Sequence, residues 1–134
     1  MKIVVDTNIL VAAYFKPHSF SAKILQLAEK GVAQIYWSLP LYREAKKILD
    51  FLPQKDRERI LTQVFKPRFK ISSLPKVEIV SEDPEDNKVL ACASGGQVDM
   101  IISNDKHLLQ IEEFEGIKIV SSKEACKLIT PSQK

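Results

Sequence analysis

Apolar residues alternate between two spacings along this chain, short runs of β-branched residues and longer stretches with an apolar position every three or four residues. The first kind predicts buried strands and the second amphipathic helices. Ile3 to Val5 reads as a strand that passes into a helical segment, and Ser19 caps a helix with Phe20, Ile24, Leu27 and Ala28 on its apolar face. Gly31 ends that helix as its C′ residue. Gln34-Ile35-Tyr36-Trp37 reads as a second strand. After Pro40, a helix carries Leu41, Ala45, Ile48, Leu49 and Leu52 on one stripe until Pro53 stops it. Another helix runs from about Gln54 to Phe65. Val77 to Val80 is a third strand, Asp83-Pro84 opens a helix to about Ser94, and Gly95-Gly96 closes it. Asp99 to Ile102 and Ile117 to Val120 are the fourth and fifth strands. A short helix lies around Leu108, and the last covers Ser122 to Ile129.

Strands alternating with helical segments imply βαβ units. The fold expected is α/β, a single domain over residues 1–134, with a mainly parallel sheet of about five strands covered by helices on both faces. The 45% hydrophobic content of 134 residues suits one compact core. No apolar run reaches the length of a membrane span, and Asp6 cuts the first one short, so a soluble, intracellular protein is expected. Cys92 and Cys126 are too few for a disulfide framework and sit in apolar helical patterns, where cysteine acts as a small hydrophobe.

Four isolated acids break the apolar pattern where elements meet. Asp6 ends the first strand and Asp105 follows the fourth, so either could be a helix N-cap or a ligand at the carboxyl edge of the sheet, where open α/β folds bind. Glu44 lies beside Leu41 and Ile48 at the edge of an apolar stripe, while Arg43, Lys46, Lys47 and Asp50 take the other side. A carboxylate placed there needs a cation or a hydrogen-bond donor to meet it, or simply a structural salt bridge. Asp86 aligns with Val89, Leu90 and Ala93 on the inward face of its helix, a direction that service to the helix dipole does not explain. Converging at one sheet edge, such acids would repel one another unless a divalent cation were bound. With these four acids spent on a cation, 20 bases face 13 remaining acids, a surface suited to a polyanion as well as to solubility. Lys66 to Lys76 is basic, contains no acid and includes Phe69; it reads as an irregular surface loop or as a nucleic-acid contact.

Val4-Val5-Asp6-Thr7-Asn8-Ile9-Leu10, then Glu44, then Glu82-Asp83-Pro84-Glu85-Asp86-Asn87-Lys88, and finally Ile101-Ile102-Ser103-Asn104-Asp105-Lys106-His107-Leu108-Leu109 resemble the motifs of PIN-domain proteins. Order, spacing and length most resemble the stand-alone prokaryotic members related to the VapC toxins of toxin-antitoxin systems. The resemblance implies a three-layer α/β/α sandwich with strand order 3-2-1-4-5. It further implies a cytoplasmic, metal-dependent endoribonuclease whose Mg²⁺ or Mn²⁺ is held by Asp6, Glu44, Asp86 and Asp105, with Thr7 supporting the metal or its water. Its products would carry a 5′-phosphate and a 3′-hydroxyl. The partners implied are RNA, a separately encoded antitoxin that occludes the site, and a second copy in a homodimer. Two departures stand out: His107 occupies a place where many relatives have a further acid, and Asn104 one that is often glycine. His107 is either an outer contact of the site or a surface residue, and His18, beside Pro17, takes no role.

The alternatives from other classes are a PIN scaffold that binds RNA or a protein without cleaving, and a receiver-like signalling domain. A receiver requires a phosphoacceptor Asp after its middle strand, where Asp83 here reads as a cap. Neither Gly-rich nucleotide fingerprint occurs.

Overall fold

The computed structural model describes residues 1–75 and 84–129. The strand expected at Val77 to Val80 and the cap expected at Asp83 lie outside the described residues. The chain begins with strand β1 (Lys2–Val5), helix α1 (Thr7–Phe15) and helix α2 (Phe20–Glu29). Ser19 caps α2 by accepting from the Ala22 amide, and Gly31 follows it in the left-handed region at φ +81°, as a C′ residue should. Two short strands come next, β2 (Gln34–Ile35) and β3 (Trp37–Ser38), followed by α3 (Leu39–Ile48), a 3-10 turn at Leu49–Phe51 and α4 (Gln54–Val64). A second 3-10 turn, Pro67–Phe69, leads into β4 (Lys70–Ile71). The described chain resumes with α5 (Pro84–Gly96), β5 (Met100–Ile102), α6 (Lys106–Ile111), β6 (Glu113–Phe114), β7 (Ile117–Val120) and α7 (Ser122–Ile129).

The main sheet has the order β2-β1-β5-β7-β6 and is parallel except for β6, which pairs antiparallel with β7 across the turn at Glu115-Gly116. The described strands follow the 2-1-4-5 portion of the order that the resemblance implies. Alternation along β1 explains the three layers: Ile3 and Val5 join one core with α1, α2, α4 and α7, whereas Val4 faces a second core built by Leu41, α5 and Leu108. Strands buried on both faces must be apolar at every position, which is why they read as uninterrupted β-branched runs.

Four expectations need correction. Gln34 to Trp37 is not one strand: Tyr36 donates its amide to Ile3 O and ends the pairing with β1, after which Trp37 and Ser38 pair with β4 in a separate two-stranded sheet. The basic stretch is correspondingly less irregular than expected. Its first residue is anchored where the Trp37 indole N–H donates to Lys66 O at 2.7 Å, and its β4 pairs with β3. The apolar stripe after Pro40 is broken at Ile48, which is exposed, and continues through a 3-10 turn with Leu49 buried. Gly95-Gly96 does not close α5 but forms its last helical turn. A Cβ on Gly95 would stand 3.0 Å from Ile71 Cγ2 and 3.2 Å from Ser73 O, and one on Gly96 would stand 3.1 Å from Ile71 Cδ1. These glycines are present for the close approach of α5 to β4, a tertiary demand that outweighs their poor helix propensity.

Gly95→Ala tests that balance. The gain in helix propensity is about 0.5–1 kcal/mol, whereas overpacking costs about 1–3 kcal/mol, and here part of the obstacle is a backbone carbonyl. A net loss near 1 kcal/mol in urea unfolding at unchanged m-value is expected; a gain would show that β4 yields freely.

Candidate active site

β1 is central, with β2 on one side and β5 on the other, so the chain reverses its direction of travel across the sheet between them. Open α/β sheets form their crevice outside the carboxyl ends of such a strand pair. Asp6 follows β1 and donates its amide to Ile102 O at 2.9 Å, while Ser103 follows β5 and donates its amide to Val120 O. The two residues therefore leave the sheet side by side.

Ser103, fully buried, is the hinge of this edge. Its hydroxyl donates to Asp6 Oδ2 at 2.8 Å and accepts the Asp105 amide at 3.0 Å, one oxygen thereby joining the acids of two loops. The Asn8 side-chain amide donates to the same Asp6 oxygen at 3.2 Å. Asp6 occupies the N-cap position of α1 but closes no side-chain capping bond. Burial raises its pKa above the usual carboxylate range. The charges of Asp105 and Asp86 push the same way, against hydrogen bonds from Ser103 and the Thr7 backbone.

Thr7, buried at the start of α1, donates its hydroxyl to Glu44 Oε2 at 2.9 Å. Glu44 makes no ion pair among the described residues. Its Oε1 is buried and meets no hydrogen-bond donor among them. Burial pushes the Glu44 pKa up to about 7, reinforced by the neighbouring Glu85 carboxylate and by the charge of Asp6, while Thr7 opposes the shift. The Glu85 carboxyl moves the other way, held down by its contacts with Glu44 and Lys88. Two carboxylates in contact need a proton or a cation between them.

Asp86 is 4% exposed on α5 and faces inward as expected. Asp105 does cap α6, its Oδ1 accepting the His107 amide at 3.4 Å, yet its charge also reaches Asp6. His107 is exposed on α6. Asn104 accepts from the Ser122 amide at 3.1 Å and hydroxyl at 3.2 Å and donates to Ser21 at 3.3 Å, so it holds the loop to α7 and α2. Asp6, Thr7 and Glu44 are thus drawn together by bonds, with Asp86 and Asp105 within electrostatic reach of Asp6. Among the described residues no three acid, histidine or cysteine side chains stand close enough to form a finished ion cage.

Beside Glu44 and Glu85 opens a cavity of about 590 Å³, whose rim carries Arg43, Lys47 and Lys88. Sequence reasoning missed Ser103, Glu85 and this cationic rim. Ser103 left a signal, since a Ser two residues before an Asp after a strand commonly forms a hydroxyl-to-amide turn; the rim left none beyond a basic helix face.

The fold is that of an α/β domain with its polar residues at the carboxyl edge of the sheet, and the chain belongs to the PIN domain family, which matches residues 2–107 and so takes in all four acids. Members of that family are generally nucleases. The receiver-like alternative is thereby set aside. No curated protein matches the chain. Among solved structures, VapBC2 from Rickettsia felis bound to a DNA fragment from its promoter contains a similar chain. The TM-score is 0.59 at 14% identity, over 90% of this chain and 98% of that one. At this identity the likeness establishes the fold. No helix among the described residues is long and apolar enough to cross a membrane.

The raised Glu44 pKa has a consequence for stability. Between its ordinary value of 4.5 and about 7, the folded chain keeps a proton that the unfolded chain releases. This contribution is full below the unfolded pKa and is lost as pH rises through the folded one. Glu44→Gln should therefore melt higher than the parent at pH 8 and show a flatter melting temperature between pH 5 and 8. Parallel profiles for the two proteins would mean that Glu44 is well solvated.

Proposed function

We propose that this chain is a Mg²⁺- or Mn²⁺-dependent endoribonuclease, with Asp6, Glu44, Asp86 and Asp105 as the metal-binding and catalytic acids, and that it is the toxin component of a toxin-antitoxin pair. The observation that carries this reading is the state of Glu44: one oxygen is held by Thr7, the other is buried without a donor among the described residues and lies against a second acid. Such a group is stabilised by a cation. The donor set is all hard oxygen, which suits Mg²⁺ or Mn²⁺ over zinc.

When bound, the metal supplies neutralising charge at the scissile phosphate and acidifies a water for in-line attack on phosphorus. The chain's own residues prepare for this. Ser103 fixes Asp6 relative to the Asp105 backbone, and Thr7 orients Glu44, so the acids approach one another at little further entropic cost. Keeping Asp6 and Glu44 ionised in the apo fold is unfavourable, and that penalty becomes a driving force for taking up a cation. Arg43 and Lys47 on the rim oppose phosphate charges and draw the RNA chain to the edge of the acidic cleft.

The VapC-like motifs, together with the fold shared with a chain of VapBC2, support the toxin reading, which brings with it an antitoxin partner, a homodimer and a cytoplasmic location. The open arrangement of the acids gives some support to a second reading, a PIN scaffold that binds RNA or a protein without cutting.

The two readings separate on a labelled single-stranded RNA incubated with Mg²⁺, Mn²⁺ or EDTA. Cleavage is expected with either metal and none with EDTA, and Asp6→Asn should lose more than about a hundredfold in rate, since even outer-shell changes at metal sites cost 10–100-fold. Excess Mn²⁺ should raise the melting temperature of the parent and not of Asp6→Asn, because ligands stabilise the state they bind. Absence of both cleavage and the Mn²⁺ response would leave the scaffold.

A further inference from the structure

Away from the acidic cleft, the small β3–β4 sheet and the adjoining side of α3 carry a surface of a different kind. Trp37, Tyr42 and Phe65 pack edge to face or tilted with ring centroids 5.2–5.7 Å apart, and Tyr36 meets Phe69 at 5.3 Å. Over these rings lie cations: Lys46 Nζ is 5.9 Å from the Tyr42 centroid, the Arg68 guanidinium 4.9 Å from Phe69, and Lys70 Nζ 5.8 Å from Trp37. None of these three cations makes an ion pair among the described residues. No acidic residue occurs in the sequence between Glu58 and Glu78 to neutralise the segment. Lys46, Arg68 and Lys70 are exposed.

Long cationic side chains laid on aromatic faces lose part of their rotamer freedom in the free protein, so less is lost when they engage an anion. The rings are half-buried apart from Trp37, which is buried. Flat π surfaces interleaved with unpaired cations are the combination that holds single-stranded nucleic acid without reading its sequence. α3 connects this surface to the cleft. At about 100° per residue, the cations met around the helix from Glu44 are Lys47, Arg43 and Lys46, and Tyr42 follows them. Half the circumference of a helix about 10–12 Å across is roughly 16–19 Å, a span of several nucleotides.

We infer that the aromatic and cationic face formed by α3, β3 and β4 is a binding track for single-stranded RNA that leads into the acidic cleft. The inference rests on the proposed ribonuclease reading for the identity of the polymer. It assigns Lys46, Arg68 and Lys70 to phosphate contacts that govern affinity and not the chemical step. Lys2, which lies 5.6 Å from the Tyr36 ring, is left out because the Asp99 carboxylate, which accepts its backbone amide, places an acid beside it.

The test is the affinity of the full chain for a labelled single-stranded RNA in EDTA, where metal-dependent cleavage cannot interfere, at several salt concentrations. The triple variant Lys46→Gln, Arg68→Gln, Lys70→Gln keeps the first two methylenes of each stem and removes the charges. A second variant, Lys118→Gln, Lys123→Gln, Lys127→Gln, makes the same change in net charge on β7 and α7. With about −0.7 in the salt slope for each phosphate contact on a single strand, the first variant should lower the slope by about two and weaken Kd at least tenfold. The second should remain within about twofold of the parent. Equal losses in both variants, or none in either, would overturn the track. So would light scattering that showed a parent dimer lost in the first variant at unchanged RNA affinity, which would make the face a contact between copies of the chain. Cleavage assays in Mn²⁺ keep the two ideas apart: selective loss of binding by a protein that never cleaves would uphold the track and remove the nuclease, and cleavage with unaltered binding would do the reverse.

Discussion

Parallel pairing of β1 with β5 is the constraint on which the candidate site depends. The register sets Val5 against Ile102, so the residues that follow, Asp6 and Ser103, leave the sheet at the same level on neighbouring strands. Both strands are buried on both faces, and neither edge nor face offers water to a polar group until the strands end. Polar chemistry is consequently concentrated at the strand termini. The hydrogen bond from Ser103 to Asp6 is the product of that register; a slip of one residue would send every strand side chain to the wrong layer and separate the pair.

The same geometry creates an electrostatic problem. Asp6 feels the charges of Asp86 and Asp105, Glu44 those of Glu85 and Asp6, and burial lifts Asp6 and Glu44 above ordinary carboxylate values. Around Asp6 and Glu44 the chain moderates this with hydroxyl and amide donors from Thr7, Ser103 and Asn8, while Glu85 is paired with Lys88. Neutral donors position an acid without cancelling its charge, whereas a buried Arg or Lys in the same place would cancel it.

Beyond the cleft, charge is segregated. Cations on α3 and on the β3–β4 sheet lie where aromatic rings can receive their stems, and the small sheet approaches α5 at glycines where an added Cβ would be tightly crowded. The PIN fold thereby presents acids at the carboxyl edge of its sheet and bases around it.

The sequence by itself determined the elements and the polar exceptions. Strands with two apolar faces, helices with one, and the acids Asp6, Glu44, Asp86 and Asp105 were legible because period and polarity are local properties. The family motifs assembled them into the right class of fold. Asp105 shows the limit of local reading, because it is an N-cap and also a neighbour of Asp6, and its sequence context displays only the first role. Gly95-Gly96 read as a helix stop, whereas the approach of Ile71 and Ser73 decided otherwise. The division of Gln34 to Trp37 between two sheets, the Ser103 bridge, and the contact of Glu44 with Glu85 were likewise decided by tertiary structure. Each depends on a partner that is distant along the chain, and no local preference encodes the energy of meeting it.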